Sequence, residues 1–260
     1  MVLGSRRWGG ADGPPVVCLH GVSQHGGVFE SLARRLTERG HSVVAIDLRG
    51  HGSSSKEPPW DTETQARDVI ETIDALGLES AALVGHSFGG RLAAHLAAAS
   101  PERVERLALL DPGLAVSPRH ALKRAEIERL DWSFASIDGA VNALLSSDAV
   151  VAAPRNVVAA FAREDLREGT DGRLRFSFCP SAAVVAWSEV CRPAPPIAEL
   201  PTLLLLAEAS LVDRHGRESA YRKALGDRFE MATVPNGHNV LWESPTETIS
   251  AIERFMGVPA

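Results

Sequence analysis

The sequence predicts an α/β fold, a mainly parallel twisted sheet flanked by helices. Short apolar runs rich in β-branched residues recur along the chain, longer segments with helical spacing separate them, and one alanine-rich stretch interrupts the alternation. Parallel strands need long crossover connections, and a helix is the usual one, so the alternation implies a parallel sheet covered on both faces.

The strand candidates fall at 16–19, 43–47, 81–84, 104–110, 202–206 and 230–234. Helical spacing covers 29–38, 63–76, 91–99, 215–225 and 245–255, and several of these segments stop at a glycine or just before a proline, where helices end. From about 115 to 196, alanine-rich amphipathic helices follow one another without a buried-strand run, closing on Arg192-Pro193-Ala194-Pro195-Pro196. The expectation is one domain over residues 1–260 with a helical cap inserted at about 115–196. Open α/β sheets bind ligands at the carboxyl ends of their strands, so a cap there would act as a lid.

A chain of 260 residues with 45% hydrophobic and 23% charged residues can bury a large core, and no apolar stretch is long enough to span a membrane. The net charge of -6 repels phosphate backbones and leaves no basic stripe, which argues against nucleic acid. Cys18, Cys179 and Cys191 are odd in number and lack metal-ligand spacing, and Cys18 sits in an apolar strand run as a core residue would. With no signal-peptide pattern in residues 1–10, a cytoplasmic location is expected. The oligomeric state stays open, a homo-oligomer included.

Gly85-His86-Ser87-Phe88-Gly89 follows the strand run at 81–84 and precedes the helical run at 91–99. The G-x-S-x-G letters alone are weak, but strand, tight turn and helix in that order are what exposes a serine hydroxyl. A helix starting there aims unpaired N–H groups at a developing negative charge. A serine hydroxyl is a poor nucleophile near neutrality and needs a base, and His238 stands in the loop after the last strand run, at the same edge of the sheet. The run Cys18-Leu19-His20-Gly21-Val22 ends the first long strand candidate, which makes the Val22 and Phe88 amides the expected oxyanion donors that bind substrate. His20 and His86 are expected to be structural.

Taken together, His20-Gly21, Asp47-Leu48-Arg49-Gly50-His51-Gly52-Ser53, Gly85-His86-Ser87-Phe88-Gly89-Gly90 and Gly237-His238 resemble the successive signatures of the α/β-hydrolase superfamily, serine esterase or lipase-like with a helical lid. The resemblance spans nearly the whole chain except the insertion. It implies the α/β-hydrolase fold with the cap after the sixth strand, and a catalytic acid three residues past a glycine that ends the seventh. The matching run is Ala207-Glu208-Ala209-Ser210, and Ser210 cannot be anionic. Asp111, at the end of the preceding strand run, is the favoured acid, although an Asp-Pro pair there also suits a plain turn. Asp213 and Glu208 remain as alternatives.

The expected activity is serine hydrolysis of carboxylic esters of small or medium apolar substrates, through an acyl-enzyme on Ser87, with no metal or organic cofactor. Trp132, Phe134, Phe161, Phe176, Phe178 and Trp187 supply bulk for an apolar cargo from within the insertion. A serine where related families carry aspartate argues against chemistry that runs through an aspartyl ester. A lactonase or carbon–carbon bond hydrolase is the alternative, and a non-catalytic binding protein is the alternative of another class, favoured only by Ser210.

Overall fold

The computed structural model describes residues 1–147, 150 and 152–257. The first half of the chain supplies β1 (Ser5–Trp8), β2 (Pro15–Leu19), α1 (Glu30–Glu38), β3 (Ser42–Ile46), α2 (Thr62–Ala75), β4 (Ala81–His86), α3 (Phe88–Ala99) and β5 (Val104–Leu110). The segment after β5 carries α4 (Pro118–Glu128), β6 (Ser133–Phe134), α5 (Ile137–Leu145), α6 (Arg155–Asp165), β7 (Leu166–Glu168), β8 (Leu174–Phe176) and α7 (Pro180–Glu189). The chain then returns through β9 (Thr202–Ala207), α8 (Arg214–Leu225), β10 (Phe229–Val234), α9 (Val240–Glu243) and α10 (Pro245–Phe255).

The main sheet has seven strands in the order β1-β3-β2-β4-β5-β9-β10. All neighbours are parallel except β1, which pairs antiparallel with β3. Alternate residues of each strand face opposite cores: Val16, Cys18, Val84 and Leu110 pack with α1 and α10, while Val17, Leu19, Leu83 and Leu109 pack with α2 and α3. Burial on both faces explains why the strands are nearly continuous apolar runs, and why they stand out in the sequence. Burial also pushes the Cys18 thiol far above its ordinary range, so this cysteine is an inert core residue.

Three features differ from the sequence expectation. β1 escapes notice because an edge strand with one wet face needs no apolar run, and its residues alternate between exposed and half-buried. The insertion follows the fifth strand of this chain, not the sixth, because only β1 precedes β2. The insertion is also not purely helical: β6, β8 and β7 form a small antiparallel sheet. Strands of two or three residues are too short for any periodicity to show.

The motif Asp47-Leu48-Arg49-Gly50-His51-Gly52-Ser53 builds the turn after β3. The Asp47 carboxylate accepts from the Gly26 amide at 2.7 Å and from the Ser53 amide at 2.9 Å. Arg49 forms a buried two-point pair with Asp68 of α2, at 2.5 and 2.7 Å. Such a fork matches guanidinium to carboxylate and fixes the strand end against the helix.

Candidate active site

Ser87, Asp111 and His238 follow β4, β5 and β10 respectively, so the parallel register brings all three to the carboxyl edge of the sheet. Strand β4 runs two residues past the expected 84, which makes Gly85 and His86 its last members. Ser87 then turns sharply with φ 53 and ψ −118, a conformation that L-residues avoid. The turn is held open by main-chain bonds to the neighbouring strand end: the Ser87 amide donates to the Leu110 carbonyl at 3.0 Å, and the Gly113 amide donates to the Ser87 carbonyl at 2.8 Å. Gly89 is required by close approach, since a Cβ there would run into the backbone of Leu19 and His20.

The Ser87 hydroxyl lies 2.8 Å from His238 Nε2, and His238 Nδ1 lies 2.6 Å from Asp111 Oδ2. An ionised carboxylate can only accept, so Nδ1 carries the imidazole proton, Nε2 is the lone-pair nitrogen, and the serine hydroxyl donates to it. Asp111 is 2% exposed. Burial alone would raise its carboxyl pKa, but the His238 hydrogen bond and charge, the Ser210 hydroxyl and the Ala207 amide outweigh it and hold the group below its ordinary value. The backbone at Asp111 also has positive φ, at 40°, which aspartate tolerates better than most residues.

Ser210 touches the carboxylate from the adjacent strand that faces His238. Neither of the other two acid candidates is placed against His238. Asp213 caps α8 by accepting from the Gly216 amide at 3.1 Å, and Glu208 is exposed.

The loop after β2 comes against the serine, with an imagined Cβ on Gly21 only 3.0 Å from the Ser87 Cβ. Among the described residues, no acceptor takes the Val22 or the Phe88 amide. Val22 and Ser87 both line a cavity of about 320 Å³, and Phe88 opens α3. His20 Nδ1 donates to the Gly21 carbonyl at 2.7 Å and its Nε2 accepts the Leu48 amide at 2.9 Å, which fixes this loop. His86 Nε2 donates to the His238 carbonyl at 2.9 Å. Both rings are fully desolvated, which lowers their pKa to about 4 for His20 and about 3 for His86 and keeps them neutral.

Gln24, Asn239 and Glu243 also belong to this frame, and the sequence reading passed over them. Gln24 accepts from the Gly21 amide at 3.0 Å and donates to Asn239 at 3.1 Å, bridging the loop after β2 to the histidine loop. Their signal in the sequence is faint: each is a polar residue within five positions of His20 or His238.

The cavity beside Ser87 is walled by Leu114, Val116, Trp187, Val190 and Val212. A second chamber of about 410 Å³ adjoins it, lined by Trp132, Phe161, Phe176, Phe178 and Trp242. Arg124 and Glu128 of α4 line both spaces. Glu128 is buried, which raises its carboxyl pKa, and Ser23 donates to it at 2.6 Å. Of the aromatic residues expected to line a site, Phe134 instead packs edge-on against Phe176.

Residues 14–245 match the family model of the alpha/beta hydrolase fold. The chain belongs to the α/β-hydrolase family. This hydrolase is 32% identical to the lipase LipV of Mycobacterium tuberculosis over 97% of each chain. It is 28% identical to the esterase YbfF of Escherichia coli over 93% of this chain and 92% of the relative. Among solved structures it resembles E-2-(acetamidomethylene)succinate hydrolase with a TM-score of 0.86, at 27% identity over 98% of this hydrolase and 95% of that chain.

Proposed function

We propose that this hydrolase cleaves carboxylic esters of small or medium apolar substrates through an acyl-enzyme on Ser87. One observation carries the reading: Ser87, His238 and Asp111 form an unbroken hydrogen-bonded chain at the wall of a largely apolar cavity. The relatives named lipase and esterase support the ester as the bond attacked.

In this mechanism the Ser87 Oγ attacks the ester carbonyl carbon while its proton passes to His238 Nε2. The carbonyl oxygen takes the displaced electron pair and is met by the Val22 and Phe88 amides, each contributing about 3 kcal/mol. Collapse breaks the bond to the alcohol oxygen, which leaves with the proton held on Nε2. Water then gives a proton to the imidazole, attacks the acyl carbon and releases the acid, returning the proton to Oγ. Asp111 stays ionised throughout, fixing the tautomer and stabilising the imidazolium.

The case for a binding protein rested on the missing carboxylate at Ser210. Asp111, placed against His238 Nδ1, weighs for an enzyme instead. The free thiols of Cys18, Cys179 and Cys191 fit the proposal of a reducing, cytoplasmic location. No described helix is long and apolar enough to cross a membrane.

The test pairs a fluorophosphonate probe with p-nitrophenyl esters of rising chain length. Labelling and hydrolysis by the parent, both lost in Ser87→Ala, are expected. A parent that neither labels nor turns over any ester would overturn the reading.

A further inference from the structure

We propose that Glu243 is the positioning residue for His238, acting as a clamp that sets the imidazole against Ser87 and Asp111. The inference rests on the proposed role of His238 as the base.

Glu243 ends α9, five residues after His238, and its side chain is buried. Its Oε2 accepts from the Gly237 amide at 3.0 Å, and its Oε1 accepts from the Asn239 amide at 3.2 Å. The amides of the two residues that flank His238 are therefore held by one carboxylate. The loop needs such a holder, because it turns back through Asn236 at φ 66 and His238 itself is partly exposed. Other bonds hold the loop as well. His86 takes the His238 carbonyl, and the Asn236 side chain donates to the Glu243 carbonyl at 2.9 Å.

Oε2 also accepts from the Ala152 amide of the insertion, at 3.2 Å. The same carboxylate thus joins the histidine loop to the segment that walls the aromatic chamber, in which Val150 and Asn239 both take part. Three main-chain donors converge on two oxygens. A carboxylate presents acceptors at both, whereas an amide presents one acceptor and one donor. Whichever way glutamine is turned, it sets an N–H against an N–H on one side of His238.

Displacing a reacting group by about 1 Å costs on the order of 100-fold in rate. Glu243→Gln is expected to lower kcat on p-nitrophenyl acetate by about 10- to 100-fold with KM within about twofold. Glu243→Asp keeps both acceptors at shorter reach, and a smaller loss in kcat of about threefold is expected.

Parental kcat in folded Glu243→Gln, whatever its Tm, would overturn the proposal. Should Glu243→Gln fail to fold, Glu243→Asp decides: lowered kcat at parental KM supports the clamp, and parental kcat ends it. Ser87→Ala and His238→Ala are run alongside. If they are inactive while Glu243→Gln is not impaired, the clamp alone fails; if they remain active, the serine mechanism fails with it.

Discussion

The carboxyl edge of the main sheet and the insertion above it are built by different means. At the sheet edge, Ser87 and Asp111 are fixed by main-chain bonds to Leu110, Gly113 and Leu205, the last accepting from the Asp111 amide at 2.7 Å. Beneath them β4 and β9 are wholly buried, and the neighbouring β5 is buried except at Glu105 and Arg106. In the insertion, α4 buries only Ala121 and Glu128, and the strands are two or three residues long. The lesson is a division of labour. Rigid strand ends hold the proposed reacting atoms, while side chains on small, partly exposed elements shape the adjoining cavities.

That contrast breaks if changes at the sheet edge leave turnover intact. The largest effect is expected for Ser87→Ala and His238→Ala, each lowering kcat on p-nitrophenyl acetate by about 10⁶-fold, with the double variant no worse than either. Asp111→Asn comes next, at about 10⁴-fold, because asparagine tolerates the positive φ but fixes the wrong imidazole tautomer. Asp213→Asn serves as its contrast: asparagine also caps helices, so parental activity and Tm are expected. A reversal of the two would move the acid to the loop after β9.

The insertion sharpens the comparison through KM. Phe178→Ala removes one wall of the aromatic chamber and is expected to raise KM about 10-fold for long acyl esters, with the acetate within about twofold. Equal effects on both esters would show that the chamber holds no part of the substrate.

The smallest expected effect is on stability against acid. His20, His51 and His86 are buried and neutral, with pKa lowered by desolvation to about 4, 3 and 3 from 6.5. The unfolded chain binds protons at these sites first, so their contribution to stability is whole above pH 6.5 and is lost as pH falls toward 4. Asp111, held below 3.8, loses its contribution in the same direction at still lower pH. Melting curves should show Tm falling steadily from pH 7 toward pH 4, and a flat Tm would contradict the neutral histidines.

The five inner strands were legible in the sequence because burial on both faces demands apolar runs, the edge strand β10 by its β-branched and apolar residues, and Ser87 and His238 because each follows a strand run in a glycine-containing turn. Asp111 was legible only as one of three candidates, since whether its carboxylate or that of Asp213 reaches His238 depends on how strands separated by 91 or more residues lie side by side. The clamp at Glu243 was not legible. A buried carboxylate that accepts only main-chain donors leaves no partner in the sequence to find. The small sheet of the insertion was hidden for the opposite reason, being too short to impose any pattern.

Ser87 and Asp111 both occupy backbone conformations in which glycine would sit with less strain. The protein is therefore held together in spite of the two residues proposed to do its chemistry, and the rest of the fold must supply the difference. Selection for thermal resistance alone would be free to discard both, yielding a sturdier molecule with nothing left to do.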